Sequence, residues 1–265
     1  MPDHRSLPSR LGRTVAAFLL PAAFALAWGC ASSGQGGDDG AQRSGAVKPA
    51  ESQQQSGHRR RVMLYTKREE LDTPLPRAAS VIVRASGPVS IIEGDLETIL
   101  VRARISALSE ERLALASVSV APDERGRLVI EARWPEGGRQ PDEVAAFEVR
   151  LPRGSHGLEV EAVGAATLSG VSCDALVRTA NGAVTVTDHR AGVHASTTNG
   201  QMSFERVAGP IKAETTNGIV LVREASGPVS AQTTKAAIDI RLALDATGPV
   251  RAVTTQGVVS LRVGP

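Results

Sequence analysis

Few side chains in this 265-residue protein could bind a metal or take part in catalysis. The five histidines are His4, His58, His156, His189 and His194. Only His189 and His194 fall close together, and no Asp, Glu or Cys accompanies them at the spacing of a zinc site. We therefore expect these two to be surface histidines. The sequence predicts no metal site, no cofactor and no catalytic residue.

Two carboxylates in the second half of the chain, Glu205 and Glu214, are the candidates for a catalytic acid pair of the kind that cleaves polysaccharides. Their expected neighbours are basic or neutral, as on an ordinary solvated surface. Exposed aromatic rings on which sugars could stack are also missing from this region. We expect a protein that is not an enzyme, and a carbohydrate-active β-helix enzyme remains the alternative.

Cys30 follows a segment with the layout of a secretory signal. Three arginines precede an apolar run of 15 residues, TVAAFLLPAAFALAW, which is short for a helix that spans a bilayer. The Gly29-Cys30 pair resembles the end of a bacterial lipoprotein signal, although Leu26 stands four residues before the cysteine rather than three. The resemblance implies a lipidated Cys30 that anchors an exported protein in a membrane. Because no Asp follows Cys30, it implies the outer membrane if the cell is Gram-negative.

Charge and composition exclude nucleic acid as an expected partner. Without residues 1–29 the chain has 27 basic and 27 acidic residues, so it offers no net positive field to release counterions from a phosphate backbone. Four aromatic residues remain, too few to form a platform for stacked bases. The second cysteine, Cys173, is expected to be a small buried residue within a sheet.

The composition changes several times along the chain and predicts five segments. Residues 1–29 are the lipoprotein signal peptide, and residues 30–57, rich in Gly, Ser and Gln, are a disordered tether with a reach on the order of 30 Å. Residues 58–77 are expected to be a linker. Residues 78–155 are a strand-rich part of a β-domain, and residues 156–265 are a repeat.

Alternation of apolar and polar residues dominates from residue 78 onward and predicts β-strands bounded by Gly, Pro and Asp. One segment differs: SEERLALA has Ser109 as a helix N-cap, followed by two glutamates and three apolar residues. The fold class is therefore predicted to be all-β with one short helix.

A unit of 18 to 21 residues then recurs, with a corner of the form Thr-x-Asn-Gly. The corner residues are Asn181, Gly182, Asn199, Gly200, Asn217, Gly218 and Gly257. Such corners suit the left-handed backbone that Asn and Gly adopt at low cost. Asn-Gly between alternating segments also favours an antiparallel β-meander joined by tight turns.

A β-helix, or solenoid, of stacked parallel coils explains the columns of the repeat better than the meander does. A threonine recurs at one position as Thr179, Thr197, Thr215, Thr233 and Thr254, where stacked copies would pack on one another and form hydrogen bonds. An outward column of Asp188, Arg206 and Glu224 alternates in charge, which is favourable when neighbours stack. We predict the solenoid and keep the meander as the alternative.

The TTNG corners and the VRLP strand that precedes them resemble a bacterial family of β-strand-repeat proteins that carries the label "putative adhesin" and a domain of unknown function. The resemblance covers residues 78–265 and implies a β-solenoid. The name of the family rests on fold analogy, so it says little about function.

The sequence thus predicts a non-catalytic, lipid-anchored protein of the cell envelope that binds a partner in the manner of an adhesin. Its expected partners are the membrane, through the lipid on Cys30, and an envelope protein or surface polysaccharide. The alternative is a structural or stress-response envelope module with no ligand of its own.

Overall fold

The computed structural model describes residues 64–74 and 79–264. Within these residues the chain forms nineteen strands and one short helix, so the predicted all-β class is confirmed. In chain order they are β1 (Tyr65–Pro74), β2 (Ser80–Ala85), β3 (Val89–Gly94), β4 (Thr98–Ala107), α1 (Glu110–Leu115), β5 (Ser117–Pro122), β6 (Leu128–Arg133), β7 (Val144–Pro152), β8 (Gly157–Ala162), β9 (Ala166–Ser169), β10 (Ala175–Thr179), β11 (Val184–Thr187), β12 (Val193–Thr197), β13 (Met202–Glu205), β14 (Ile211–Thr215), β15 (Val220–Ala225), β16 (Val229–Thr233), β17 (Ile238–Leu242), β18 (Val250–Thr254) and β19 (Val259–Val263). None of the described residues forms a helix long and apolar enough to cross a bilayer.

The strands belong to two sheets that share one apolar core. The ten-stranded sheet has the order β1-β4-β7-β3-β9-β11-β13-β15-β17-β19, and the nine-stranded sheet has the order β18-β16-β14-β12-β10-β8-β2-β6-β5. Burial alternates along the strands, because successive side chains point to opposite faces of a sheet. One face of each sheet therefore lines the core and the other forms an outer surface.

The repeat is a parallel solenoid. Strands of successive coils pair in parallel with a register of eighteen residues, so that Ala195 lies beside Ala213 and Phe204 lies beside Val222. The later step from Ala231 to Ala252 spans 21 residues and keeps the same register. Parallel pairing throughout the repeat rules out the antiparallel meander there.

The segment before the repeat belongs to the same stack. The β2–β3 coil lies between the β6–β7 coil and the β8–β9 coil, so the stack does not follow the order of the chain. Antiparallel strands occur only at this end among the described residues, where β1 and β4 extend one sheet and β5 extends the other. The helix α1 joins β4 to β5 and starts at the predicted cap, where the Ser109 hydroxyl accepts a hydrogen bond from the Arg112 amide at 3.2 Å.

Part of the expected linker is a strand. Residues 65–74 form β1 and pair antiparallel with β4 over its whole length. Charged residues make up half of this strand, so the apolar alternation that marks the other strands is missing from its sequence. Its place at the edge of the sheet explains this composition, because charged side chains protect an edge from further pairing.

Close packing between coils explains why glycine occupies these corner positions. None of Gly182, Gly200, Gly218 and Gly257 has a positive φ, and neither do the asparagines that precede the first three, so the expected left-handed backbone is wrong at this corner. A Cβ on each of these glycines would instead come within 3.0 Å of the carbonyl of the corner residue one coil earlier. Glycine fits these four positions because the backbones of stacked corners nearly touch, and Ala236 is the one replacement among the equivalent corners of the repeat.

Asn and Thr side chains tie the corners together. The Asn199 amide donates to the Asn181 side-chain oxygen at 2.6 Å, and Asn217 donates to Asn199 at 2.7 Å, which forms a short asparagine ladder. Four members of the threonine column are buried and Thr254 is half-buried. Their hydroxyls donate to corner carbonyls rather than to each other, except that the Thr215 hydroxyl accepts a hydrogen bond from the Gly218 amide. Thr197 reaches the carbonyl of Gly182 at 3.3 Å, and Thr233 reaches that of Gly218 at 3.1 Å.

Left-handed backbone occurs at the opposite corner of the coil. Gly170, Asp188, Arg206 and Glu224 stand eighteen residues apart and have φ between 52° and 69°. This conformation costs a non-glycine residue roughly 1–2 kcal/mol. Coil stacking holds the residues in place, since the Asp188 and Arg206 amides each donate to a carbonyl of the next coil at 3.0 Å.

A histidine side chain is buried near this second corner. His189 is 1% exposed and stands in a column otherwise formed by Val171, Val207 and Ala225, so the expectation of a surface histidine is wrong for this residue. Its Nε2 lies 3.1 Å from the Gly192 carbonyl and its Nδ1 has no hydrogen-bond partner. Burial lowers the pKa of His189.

Cys173 is buried as predicted, but it lies in the corner before β10 rather than inside a strand. Burial, assisted by the negative charge of Glu93, raises the pKa of its thiol to about 11. The side chain is therefore a neutral thiol at physiological pH.

The corner packing predicts a large effect of Gly200→Ala. The new methyl group would collide with the backbone of the preceding corner, which cannot move aside like a side chain, so the free energy of unfolding should fall by roughly 3 kcal/mol. Gly94→Ala is the matched control, because its Cβ would meet nothing closer than 3.9 Å, and it should change stability by less than about 1 kcal/mol. Equal effects of the two changes in urea unfolding would contradict this account.

The burial of His189 predicts a pH-dependent stability. Its folded-state pKa lies below the usual 6.5, so between those two values the unfolded chain binds more protons and the free energy of unfolding falls as pH drops below about 6.5. His189→Val should remove this loss and His156→Gln, at an exposed site, should retain it. Urea unfolding at a series of pH values tests this, and an unchanged pH slope in His189→Val would refute it.

Candidate functional site

The two candidate catalytic carboxylates do not form a pair. Glu205 lies on β13 of the ten-stranded sheet and Glu214 on β14 of the nine-stranded sheet, and each is placed on the outer face of its own sheet. Arg206 contacts the Glu205 carboxylate, while Lys212 lies 3.0 Å from that of Glu214 and lowers the pKa of Glu214. These side chains face opposite sides of the domain and cannot act on one bond.

The histidines do not assemble into a metal site. His194 faces outward, with Nε2 3.5 Å from Glu214, whereas His189 points into the core. Among residues 64–74 and 79–264, no group of three His, Cys, Asp or Glu side chains is close enough to share a metal ion.

The outer face of the nine-stranded sheet carries a row of alternating charges. Glu131, Arg84, Glu161 and Arg178 occupy successive strands at one register position. Neighbouring members of this row approach within 3.7, 3.2 and 3.6 Å, respectively. Each exposed pair adds little stability. The row nevertheless neutralises its own charges, which leaves little attraction for a charged partner.

The predicted alternating column at the left-handed corner is formed in part. Arg206 donates to both carboxylate oxygens of Asp188, at 2.6 and 3.2 Å, and this contact lowers the pKa of Asp188. Arg206 also contacts Glu205 rather than Glu224. The third member of the column thus remains outside the ion pair.

The outer face of the ten-stranded sheet carries a different row, which sequence reasoning missed. Arg223, Arg241 and Arg262 lie side by side on β15, β17 and β19, and all three are exposed. We call these three residues the basic row. Each stands five residues past its corner residue, so their common position was visible in the repeat.

No acidic side chain of residues 79–264 forms an ion pair with the basic row. Glu205 precedes Arg223 in the same register but turns its carboxylate to Arg206. Neighbouring strands lie about 4.8 Å apart, and like charges directly opposite each other are destabilising. The basic row is consequently a line of repelling cations that an anion would stabilise.

A groove with a volume of about 610 Å³ follows the corner before the strands of the nine-stranded sheet. Its lining includes Pro210, Pro228, Pro249, Lys212 and Arg251. The groove is shallow and largely apolar, and no buried polar side chain points into it. It lacks the convergent polar groups of a small-molecule site.

Comparison with known proteins gives weak similarity only. No family model and no curated protein matches the chain. Among solved structures, it is similar to a "putative cell adhesion protein" from Clostridium sporogenes, with 10% identity over 75% of this chain and 100% of that one and a TM-score of 0.35. A "putative adhesin" from Bacteroides fragilis has 12% identity over 74% of this chain and 97% of its own, with a TM-score of 0.36.

A third bacterial protein, a "putative adhesin" from Parabacteroides merdae, has 9% identity over 76% of this chain and 95% of its own, with a TM-score of 0.28. The structural neighbours are thus bacterial proteins described as adhesins. Similarity this low establishes neither a shared ligand nor a shared function.

Proposed function

We propose that this protein is a non-catalytic, lipid-anchored binding protein of the bacterial cell envelope, and that its basic row binds an acidic surface polysaccharide. The observation that carries the proposal is the register of Arg223, Arg241 and Arg262 without acidic partners among residues 79–264. Elsewhere on the two outer faces, the Glu131–Arg178 row supplies its own counterions.

The geometry of the basic row suits a linear polymer better than a small anion. The three arginines stand in register on neighbouring strands, whose backbones lie about 4.8 Å apart, and their side chains are exposed. Each planar guanidinium can hold a carboxylate through two hydrogen bonds. Successive carboxylates along an acidic polysaccharide would meet successive arginines, and several weak contacts would add up along the chain.

The separation of Glu205 and Glu214 on different sheets supports the non-catalytic part of the proposal, because these two carboxylates cannot act together on one bond. The neutral thiol of Cys173 is also buried and offers no nucleophile.

The lipid anchor rests on the sequence alone, since Cys30 and the tether of residues 30–57 lie outside the described residues. A tether with a reach on the order of 30 Å would let the solenoid contact polymers beyond the membrane surface. In a Gram-negative cell the expected location is the outer membrane.

The basic row predicts selective, salt-sensitive binding to acidic glycans. Full-length protein in detergent should bind alginate, and not the neutral polymer dextran, and added salt should weaken this binding. The triple change Arg223→Gln, Arg241→Gln and Arg262→Gln should weaken alginate binding about tenfold, because it removes three charge-assisted contacts. Binding isotherms provide the measurement.

A matched control distinguishes the effect of the basic row on binding from the effect of net charge. Arg125→Gln, Arg133→Gln and Arg153→Gln together remove the same charge from exposed positions outside the row and should leave binding within about twofold. Equal loss in the two triple variants would refute the basic row as the receptor. Equal binding to dextran, or no binding to alginate, would refute the proposed ligand class.

Lipidation of Cys30 predicts that Cys30→Ser abolishes incorporation of labelled fatty acid and releases the protein from the membrane fraction. Cys173→Ser is the control and should retain both properties, because its thiol is buried. Acyl labelling and fractionation of cells provide the measurement. Continued labelling of Cys30→Ser would contradict the anchor.

A further inference from the structure

The edge strands at the two ends of the solenoid differ in the side chains that they place against the core. At the β1 end, the inward positions hold Lys67 and Glu69, which form an ion pair at 2.9 Å. Lys67 also donates to the Ala116 carbonyl, and Glu69 accepts from the Val118 amide at 2.9 Å. Inward-pointing charges of this kind are how natural proteins close the edge of a sheet.

The β18–β19 end has no such closure among the described residues. Val259, Leu261 and Val263 occupy the inward column that is buried in the preceding coils, yet they are 43%, 52% and 68% exposed. Nearby Leu244 and Val258 are more than two-thirds exposed. The outer edges of β18 and β19 also have no partner strand in residues 64–74 and 79–264.

We propose that this end binds the same end of a second copy of the chain, forming a two-fold symmetric dimer in which β19 pairs antiparallel with β19 and β18 with β18. Rotation about an axis normal to the sheets reverses strand direction, so both sheets would continue across the junction. The proposal is independent of the polysaccharide ligand.

The register of β19 is self-complementary about its central residue, Leu261. An antiparallel pair centred there sets Val259 opposite Val263 of the second copy, so the inward row is apolar throughout. Arg262 then lies opposite Ser260 rather than opposite another Arg262, which avoids direct contact of like charges.

The same two-fold axis would also pass through the midpoint of β18. This strand also has five residues, with Ala252 at its centre, and a corner of four residues joins it to β19. The chain runs in opposite directions along the two strands of a coil, so the midpoints Ala252 and Leu261 lie across the core from each other. With Ala252 on the axis, Arg251 lies opposite Val253, which again separates like charges.

The exposed area also suits a second copy. The apolar side chains at this end present a patch on the order of 500 Å², at the upper end of what monomers leave exposed. Burial of this patch on two copies removes about 1,000 Å², which is the lower limit for a specific interface. The charged β1 edge is a poor match for the patch, so head-to-tail stacking into filaments is disfavoured.

Cysteine cross-linking of the full-length protein in intact cells tests the axis. Leu261→Cys places a thiol directly opposite its copy, at a Cβ separation of about 4.5–5.5 Å that a disulfide can bridge with little adjustment. It should give a band at twice the monomer mass on non-reducing gels, while Ser260→Cys alone should give at least tenfold less. Ser260→Cys and Arg262→Cys expressed together should restore the cross-link.

The unmodified chain controls for its two native cysteines. Absence of the dimer band with Leu261→Cys, or equal yields from Leu261→Cys and Ser260→Cys, would overturn the proposed axis. A band of another mass would show that a different protein occupies this end. A ladder of higher multimers would show open stacking in place of a closed dimer.

Discussion

The close approach of consecutive coils at the Thr-x-Asn-Gly corner is the constraint on which the rest of the structure depends. Each corner glycine is so near the carbonyl of the previous corner that no side chain fits between them. This contact fixes the spacing of the stack at that edge. The buried threonines and the asparagine ladder then hold the same spacing through hydrogen bonds that run from coil to coil. Strand register and the columns of the core follow from it.

Stacking made the repeat predictable from sequence. In a parallel solenoid each residue lies beside its own counterpart, so a column such as Val184, Met202 and Val220 must be apolar throughout and is visible without coordinates. The segment before the repeat was harder to predict. Strand β2 pairs with strands 47 and 77 residues away, and β1 carries almost no apolar alternation because it closes an edge.

Predictions made from neighbouring residues in the sequence were wrong where contacts between stacked coils determine the conformation. Asn-Gly usually indicates left-handed backbone, but here the left-handed positions are occupied by Asp188, Arg206 and Glu224, and the glycines serve close packing instead. His189 was likewise expected at the surface, because no Asp, Glu or Cys accompanies it at the spacing of a metal site. Its environment is set by Val171 and Val207, eighteen residues before and after it. The common repeat position of the basic row was visible in the sequence. Only the parallel pairing of the strands shows that the three arginines lie side by side.

Parallel stacking also decides how a repeat protein distributes charge. Exact repetition would place every charged residue beside an identical charge, so a solenoid must vary its outward residues, leave them neutral or attract counterions from outside. The coils near the capped end vary the sign, as Arg84 between two glutamates illustrates. The last coils repeat arginine instead, on strands that end at an exposed apolar edge. Charge repulsion and apolar exposure are therefore concentrated at the same end of the stack, and both would be relieved by binding.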